Sequence, residues 1–230
     1  MLTTSPLVPS CPLPTAVDHV CLGVSPFNSY FTAERLLELV TWANRCFREF
    51  HVFLPDEPAA HTLEALGYPI ERARHKARRQ ANYMRNKICR ALSDAGVDDP
   101  LSRVLDSEAL RGNEAYQSLH GTAEFLFHDD DQFRAACLEA TNWVLDRKLP
   151  DGARPTPDQL LCAVRYFLAE LPLFAGTTLI VDRPSSAFVY HQRVWFLERF
   201  YRGELTMRPE PGQGFLVVEE AEEAESLAVR

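Results

Sequence analysis

The segment from Val17 to Leu54 most constrains the fold, because its pattern predicts a strand, a helix and a second strand. Residues 17–24 form a short apolar run that stops at the Pro-Phe-Asn-Ser turn of residues 26–29. A helix is predicted from Thr32, which can cap its first turn, and the apolar residues that follow recur about every 3.6 positions. The alternating segment 50–54 predicts the second strand. This order favours a parallel sheet and therefore an α/β fold.

Ser25 is the candidate nucleophile, because it lies between the first predicted strand and the helix that follows. A strand that enters a helix through a tight turn places Ser25 at the carboxyl edge of the sheet, where open α/β proteins build their sites. The alternative is a serine that only caps the turn, since Gly-x-Ser is common and a serine hydroxyl needs activation to become a nucleophile.

Length and composition predict one soluble domain. The chain has 230 residues, of which 46% are hydrophobic and 24% charged, enough for a sizeable core. We expect a cytoplasmic protein, because no apolar run approaches the roughly 20 residues of a membrane span and no secretory signal is evident. Prolines within residues 1–16 predict a disordered leader, followed by a domain over residues 17–218 and an acidic disordered tail over residues 219–230.

Cysteine and histidine spacing gives no indication of a metal site. The six cysteines occur singly, without a Cys-x-x-Cys pair, and the seven histidines lack a His-Glu-x-x-His arrangement. No glycine-rich phosphate loop is present either. We therefore expect reduced cysteines that pack in the core, and neither a metal nor a cofactor.

Positive charge is concentrated in a long predicted helix near residues 70–95. The formal charge of residues 71–90 is +7, which leaves −15 for the rest of a chain whose total is −8. Such a local excess suits the phosphate backbone of a nucleic acid, and the alternative is a solvated surface paired with acids of a neighbouring element. The candidate phosphate contacts, which we call the basic strip, are Arg72, Lys76, Arg78, Arg79, Arg85 and Lys87.

A second chemical motif lies on a helix that residues 156–159 open with the pattern of a capping box. Tyr166 and Glu170 are four positions apart, so the phenol and the carboxylate stand on one helix face. Together they could hold an amine, although an ordinary surface pair is the alternative. Pro172 is predicted to end this helix, and residues 177–181 are predicted to form a strand.

These separated motifs resemble those of the cyclodipeptide synthases. The family pattern His-x-aliphatic-aliphatic-Gly-aliphatic-Ser fits residues 19–25, and Tyr-aliphatic-x-x-Glu-x-Pro fits residues 166–172. The sequence departs from the pattern at Cys21 and Phe167, which are apolar but not aliphatic. The resemblance covers roughly residues 17–218 and includes the basic strip.

The resemblance implies both a fold and a reaction. The implied fold is a Rossmann-like, mostly parallel sheet flanked by helices on both faces, similar to the catalytic domain of class I tyrosyl and tryptophanyl tRNA synthetases. The implied reaction joins the amino acids of two aminoacyl-tRNAs into a diketopiperazine. An aminoacyl ester is already activated, so transfer to a serine needs positioning rather than ATP.

The resemblance also assigns roles to residues. It implies that Ser25 carries the aminoacyl and then the dipeptidyl group, that Tyr166 and Glu170 hold the α-amine, and that Tyr190 relays protons. Asn28 with Tyr190-His191 resembles the Asn-Tyr-His subfamily. Hydrophobic or aromatic aminoacyl groups are expected from the implied substrate-binding residues, which are Cys21, Gly23, Asn28, Phe53, Tyr116, Leu173, Phe188 and His191. We expect a monomer that binds neither DNA nor a membrane.

Two other functions stay open at this point. A serine hydrolase is one, because Ser25, Asp182 and His191 follow the chain order of a Ser, Asp, His triad, although Phe27 stands where Gly-x-Ser-x-Gly has its second glycine. A non-catalytic tRNA-binding module is the other. It would explain the basic strip but not the pairing of Tyr166 with Glu170.

Overall fold

The computed structural model describes residues 2–150 and 152–219. Its centre is a six-stranded sheet with the strand order β1-β6-β5-β2-β3-β4. Neighbouring strands are parallel except for β1 and β6, which are antiparallel. The strands are β1 (Thr3–Pro6), β2 (His19–Gly23), β3 (Glu49–Phe53), β4 (Val104–Leu105), β5 (Ser186–Tyr190) and β6 (Gln213–Glu219).

Helices connect the strands and cover the sheet. Short 3₁₀ turns occur at Pro14–Ala16 and Leu101–Arg103. The α-helices of the described residues are α1 (Ala33–Cys46), α2 (Ala59–Ala65), α3 (Ile70–Asp94), α4 (Ser107–Arg111), α5 (Glu114–Asp129), α6 (Asp131–Asp146), α7 (Pro157–Ile180) and α8 (Trp195–Tyr201).

The sheet separates two hydrophobic layers, because successive side chains of a strand point to opposite faces. Val20 and Leu22 of β2 pack with apolar residues of α1 and α3 on one face. Cys21, which lies between them, packs on the other face with residues of α5, α6, α7 and α8. The predicted α/β architecture, a mostly parallel sheet with helices on both faces, is therefore confirmed.

Helix capping follows the sequence. The Thr32 hydroxyl accepts a hydrogen bond of 3.1 Å from the backbone N–H of Arg35, so α1 begins where the capping residue predicted. At the start of α7, Thr156 and Gln159 form both hydrogen bonds of a capping box.

The prediction of a disordered leader over residues 1–16 is wrong for the residues that the structure describes. β1 pairs with β6, and the following residues Leu7 and Val8 are buried in the core. The prolines misled the prediction, because an edge strand tolerates proline where its missing N–H faces away from the ladder. Glu219 is the last residue of β6, and the remainder of the predicted acidic tail lies outside the described residues.

The predicted strand over residues 177–181 is also wrong. α7 continues past Pro172 and reaches Ile180, with non-helical backbone angles at Gly176. The Thr177 hydroxyl donates to the carbonyl of Leu173 four residues earlier, which lets this β-branched residue remain helical.

The helix α7 also bears on the membrane expectation. By length and composition alone, it could cross a membrane, so the statement that no apolar run approaches that length is wrong. However, 56% of its most apolar window is buried inside the protein. Its hydrophobicity is that of a helix which packs in the core.

Candidate active site

Ser25 lies just beyond the carboxyl end of β2, in the tight turn that leads to α1. The N–H of Val24 still donates to the carbonyl of Phe53 at 3.0 Å, which extends the pairing of β2 with β3 by one residue. The chain then turns, and the N–H of Asn28 donates to the carbonyl of Ser25 at 3.2 Å. This turn leaves the Ser25 hydroxyl half-buried at the edge of the sheet, as the sequence predicted.

Tyr190 brings a second hydroxyl to Ser25. It is the last residue of β5, the strand beside β2, and the register that pairs Leu22 with Val189 places Tyr190 next to Gly23. The Ser25 Oγ and the Tyr190 hydroxyl are 3.0 Å apart. Burial raises the pKa of Tyr190, so the phenol stays neutral and can both donate and accept a hydrogen bond at this position.

Tyr166 and Glu170 reach the same place from α7. The Ser25 hydroxyl and the Glu170 carboxyl group lie close enough to Tyr166 to influence the pKa of its phenol, which burial raises. Burial likewise raises the pKa of Glu170 to about 8. A carboxyl group with that pKa exchanges protons with an amine near neutral pH.

These groups line one cavity of about 500 Å³. Predicted site residues that line it are Gly23, Ser25, Asn28, Tyr166, Glu170, Phe188 and Tyr190. Sequence reasoning missed most of the apolar wall and the cavity mouth. The missed residues include Trp143, Val144, Arg147, Lys148, Phe167, Phe174, Val194, Leu197 and Phe215.

Five of the predicted substrate-binding residues, His191 among them, do not line the cavity that holds Ser25. Cys21, Phe53 and Leu173 are buried in the core layer behind it, where the Phe53 ring meets the Phe188 ring edge-on with centroids 6.3 Å apart. Tyr116 lines a separate cavity of about 930 Å³ and donates a hydrogen bond of 3.0 Å to the carbonyl of Ala169. The spacing of residues in the sequence could not show which of these side chains would face the cavity and which would be buried behind Phe188.

The close packing of the Phe188 and Tyr190 rings against Gly23 requires a glycine at this position. A Cβ atom at this position would lie 2.5 Å from the ring of Phe188 and 3.3 Å from the ring of Tyr190. Because both rings belong to the site, a side chain at position 23 would displace them. The glycine thus lets two aromatic rings approach the strand that leads to Ser25.

His191 supports Tyr190 and does not contact Ser25. Its ring stacks on the Tyr190 ring with centroids 4.5 Å apart, and its Nε2 accepts a hydrogen bond of 2.9 Å from Asn28 Nδ2. Burial lowers the pKa of His191 to about 4, so the ring is neutral. Asn28 also accepts from the N–H of Tyr30 through Oδ1 at 2.9 Å, which fixes its orientation.

The hydrolase alternative fails on topology. Asp182 precedes β5, at the amino edge of the parallel strands, whereas Ser25 and His191 follow the carboxyl ends of β2 and β5. These three residues therefore do not assemble into a triad, and the hydroxyl beside Ser25 is that of Tyr190. Within the described residues, no group of three metal-ligating side chains that could hold a metal ion is found.

The basic strip lies on α3 but is not uniform. Arg72, Arg78 and Arg79 are exposed. Arg85 instead forms ion pairs with Asp56 at 3.1 Å and Asp106 at 2.8 Å, so acids already neutralise it.

The two lysines of the strip are partly engaged. Lys76 donates to the Tyr68 hydroxyl at 2.9 Å, and Lys87 donates to the carbonyl of Phe31 at 3.0 Å. Lys87 therefore anchors α3 to the loop that follows Ser25.

Comparison with known proteins decides the family. The sequence model described as "Cyclodipeptide synthase" matches residues 2–220. The chain belongs to the cyclodipeptide synthase family. It is 34% identical over 207 residues to the cyclo(L-leucyl-L-leucyl) synthase of Bacillus subtilis, with 88% of this chain and 82% of that protein covered. It is 32% identical over 204 residues to the cyclo(L-tyrosyl-L-tyrosyl) synthase of Mycobacterium tuberculosis, with coverages of 89% and 71%.

Solved cyclodipeptide synthases share its fold. A crystal structure from Bacillus thermoamylovorans superposes with a TM-score of 0.88 at 26% identity, covering 95% of this chain and 96% of that one. A Mycobacterium tuberculosis structure, described as demonstrating that cyclodipeptide synthetases are related to type I tRNA synthetases, gives a TM-score of 0.82 at 32% identity, with coverages of 94% and 92%. The chain is thus an aminoacyl-transferring enzyme whose substrates are aminoacyl-tRNAs, and the idea of a non-catalytic binding module is set aside.

Proposed function

We propose that this cyclodipeptide synthase works through covalent intermediates on Ser25. The observation that supports this most directly is the 3.0 Å contact between the Ser25 and Tyr190 hydroxyls, at the wall of a cavity that also contains Glu170. The site therefore combines a nucleophile, a neutral proton relay and a titratable carboxyl group within one enclosure.

The first step is transfer of the aminoacyl group to the enzyme. Ser25 Oγ attacks the ester carbonyl of the first aminoacyl-tRNA, a new ester bond forms, and the bond to the ribose oxygen breaks. The serine proton passes through the Tyr190 hydroxyl to that ribose oxygen, so that tRNA leaves with a free hydroxyl. One ester replaces another, and the step needs alignment rather than an energy source.

The second and third steps form the two amide bonds. The α-amine of the aminoacyl-Ser25 ester attacks the ester carbonyl of the second aminoacyl-tRNA, an amide bond forms and the bond to the ribose oxygen breaks. The proton lost by the amine passes to that oxygen, so the tRNA leaves with a free hydroxyl and a dipeptidyl group remains on Ser25. The free amine of that dipeptide then attacks the Ser25 ester, closes the six-membered ring and returns the proton to Ser25 Oγ. Tyr166 orients each amine, and Glu170 in its ionised form accepts the proton that the attacking amine gives up.

Both aminoacyl groups are proposed to be hydrophobic or aromatic. Phenylalanine rings and aliphatic side chains form most of the inner wall, among them Phe167, Phe174 and Leu197. The relatives named above make cyclo(L-leucyl-L-leucyl) and cyclo(L-tyrosyl-L-tyrosyl), and one from Streptomyces noursei makes cyclo(L-leucyl-L-phenylalanyl). Mass spectrometry of the product made in a bacterial host should show two such residues, and a product of charged residues would refute this choice.

The basic strip is proposed to bind the phosphate backbone of tRNA through its exposed guanidinium groups. Arg72, Arg78 and Arg79 carry this part of the proposal, whereas the two ion pairs of Arg85 make it an anchor of α3. We further propose that the enzyme acts as a monomer in the cytoplasm, where aminoacyl-tRNAs are made.

Substitution of the nucleophile tests the covalent mechanism. Ser25→Ala should abolish labelling of the protein by aminoacyl-tRNA charged with a radioactive amino acid, while the unfolding midpoint changes little. Ser29→Ala is the matched control, because Ser29 lies on the same turn and lines the same cavity. Labelling that persists in Ser25→Ala would show that Ser25 is not the acceptor, and equal loss in Ser29→Ala would remove the support that the Ser25→Ala result gives to the covalent mechanism.

A further inference from the structure

An aromatic and cationic surface lies at the mouth of the Ser25 cavity, at the carboxyl end of α6 and in the residues that directly follow it. The Trp143 ring is 37% exposed, and the Arg147 guanidinium lies 3.7 Å from its centroid. Both side chains line the cavity together with Lys148, which follows directly. We call Trp143, Arg147 and Lys148 the mouth platform.

Within residues 2–150 and 152–219, the cations of this platform form no ion pair with an acid. Among the ion pairs of the described residues, none includes Arg147 or Lys148. Both residues are exposed, while partial burial of the ammonium group lowers the pKa of Lys148. A second exposed aromatic ring, that of Phe27 at 36%, lines the same cavity from the turn after Ser25. Exposed aromatic rings combined with unpaired cations are the features that proteins use to bind single-stranded nucleotides.

The reaction determines what must lie at this mouth. The ester that Ser25 attacks joins the amino acid to the ribose of the last nucleotide of tRNA. When the aminoacyl group enters the cavity, that ribose remains beside Ser25, and its base and phosphate remain at the entrance. A base can stack on the indole and the guanidinium plane, and the phosphate can be neutralised by the neighbouring cations.

The basic strip cannot serve this purpose, because it contacts the other side of the Ser25 turn. Gln80 of α3 donates to the carbonyl of Pro26 at 2.6 Å, and the cavity between α3 and this turn contains Lys76 and Lys87. The mouth platform faces the turn from α6. The nucleophile therefore lies between two cationic surfaces, and only the one on α6 shares its cavity with Ser25, Tyr166 and Glu170.

We propose that the mouth platform binds the 3′-terminal nucleotide of the aminoacyl-tRNA that loads Ser25, with its base stacked on Trp143. This inference rests on the proposed function for the role of Ser25, but the binding itself does not require the chemical step. Trp143 is a positioning residue, because it holds the nucleotide and touches neither the amine nor the ester carbonyl.

The test measures binding of an uncharged RNA minihelix that ends in CCA, and of the same minihelix whose last nucleotide is an abasic ribose. The proteins are the wild type, Trp143→Leu, Trp143→Phe and Trp195→Leu. Trp195 is the matched control, since it is 52% exposed, lies against the Arg199 guanidinium at 4.8 Å and does not line the cavity.

Three results are expected together. Loss of the terminal base should weaken wild-type binding roughly 5- to 150-fold, as expected for one stacked base. Trp143→Leu should weaken binding of the intact minihelix by a similar factor and make the protein insensitive to the abasic change. Trp143→Phe should recover part of the affinity, and Trp195→Leu should bind both RNAs as the wild type does.

Other outcomes separate this inference from the mechanism. If Trp143→Leu keeps the full sensitivity to the abasic change, the terminal base binds elsewhere and the inference is wrong. A parallel loading assay with the charged minihelix should show a raised KM and an unchanged kcat for Trp143→Leu. Absence of wild-type labelling at Ser25 would refute the covalent mechanism, and the binding comparison would still decide the inference about Trp143.

Discussion

The two ends of the β2–β5 strand pair are joined by similar contacts and have different environments. At the carboxyl end, which we call the open end, the hydroxyls of Ser25 and Tyr190 are 3.0 Å apart and face a cavity. At the amino end, which we call the closed end, His19 Nδ1 and Ser186 Oγ are 2.8 Å apart, and both side chains are fully buried. His19 Nε2 also lies 2.9 Å from Nδ1 of His51 on β3, so the closed end connects three strands.

The two ends of the strand pair are suited to different roles: the buried end to stabilising the fold, and the end that faces the cavity to binding a substrate. The closed end has its hydrogen bonds satisfied by fixed partners, and burial lowers the pKa values of His19 and His51 to about 3 and about 4, so both rings are neutral. The open end leaves its hydroxyls and the Glu170 carboxyl group facing a space that a substrate can fill. We therefore expect substitutions at the open end to change activity and those at the closed end to change stability.

The largest expected effect is the loss of the phenol at the open end. Tyr190→Phe keeps the ring that stacks on His191 and removes the hydroxyl 3.0 Å from Ser25. Loading of Ser25 should fall about 100- to 10,000-fold, the range for loss of a positioned acid-base group. Single-turnover labelling measures this, with thermal unfolding as a control for the fold. Undiminished loading would exclude Tyr190 as the proton relay.

The matched substitution at the closed end should lower stability and leave activity nearly unchanged. Ser186→Ala leaves the buried His19 Nδ1 without its partner, so the free energy of unfolding should fall by about 1–3 kcal/mol. Activity per folded molecule should stay within about twofold, because this edge lies away from the cavity. Urea unfolding together with active-site titration measures both quantities. A large fall in the activity of the folded protein would contradict the division between the two ends.

A smaller effect is expected from charge removal beside the open end. The double substitution Arg78→Ala and Arg79→Ala should lower the slope of log affinity against log salt concentration by about two units if each residue contacts one phosphate. Product identity should not change, because the backbone carries no information about the amino acid. Titrations of tRNA at several salt concentrations measure the slope. An unchanged slope with unchanged affinity would indicate that tRNA binds to another surface.

The last expected difference between the two ends is in the pH dependence of stability, where they should have opposite signs. The folded protein holds the Glu170 proton up to about pH 8, whereas the unfolded chain releases it near 4.5, so this stabilisation is lost as pH rises through that interval. The neutral histidines of the closed end contribute stability above pH 6.5 that is lost as pH falls towards 4. Each slope should be at most about 1.4 kcal/mol per pH unit for one group.

Two variants separate these contributions. Relative to the wild type, Glu170→Gln should gain stability between pH 5 and pH 8, and His51→Asn should gain stability as pH falls over the same range. Urea unfolding at pH 5, 6.5 and 8 provides the measurement. Parallel pH profiles for the wild type and both variants would refute the assignment of these two groups.

The sequence predicted the elements whose local pattern agrees with their tertiary environment. The strand before Ser25, the helix capped by Thr32 and the capping box at Thr156 are found in the structure. Prediction from the local sequence pattern was wrong where tertiary contacts or side-chain hydrogen bonds determine the secondary structure. β1 forms because β6 offers it an edge, and Thr177 stays helical because its hydroxyl bonds to the carbonyl of Leu173.

The candidate site was predictable in part for the same reason. Family motifs led to Ser25, Tyr166, Glu170 and Tyr190, which the structure brings together. Which aromatic side chains line the open space depends on how Phe188 packs against Gly23, and spacing in the sequence does not show this. A usable signal for the mouth platform did exist, because Trp143 and Arg147 are four residues apart, the spacing that places two side chains on one face of a helix.

The pairing of β1 with β6 has a consequence for how a newly made chain matures. Thr3 pairs with Glu219, so strands from near the two ends of the described sequence lie side by side, and β6 inserts between β1 and β5. Contacts between such distant segments form late and slow down folding. Until β6 leaves the ribosome, β5 lacks its outer neighbour and the apolar side chains that meet Phe215 remain open. We therefore expect a translating chain to acquire its catalytic geometry only once β6 has been synthesised.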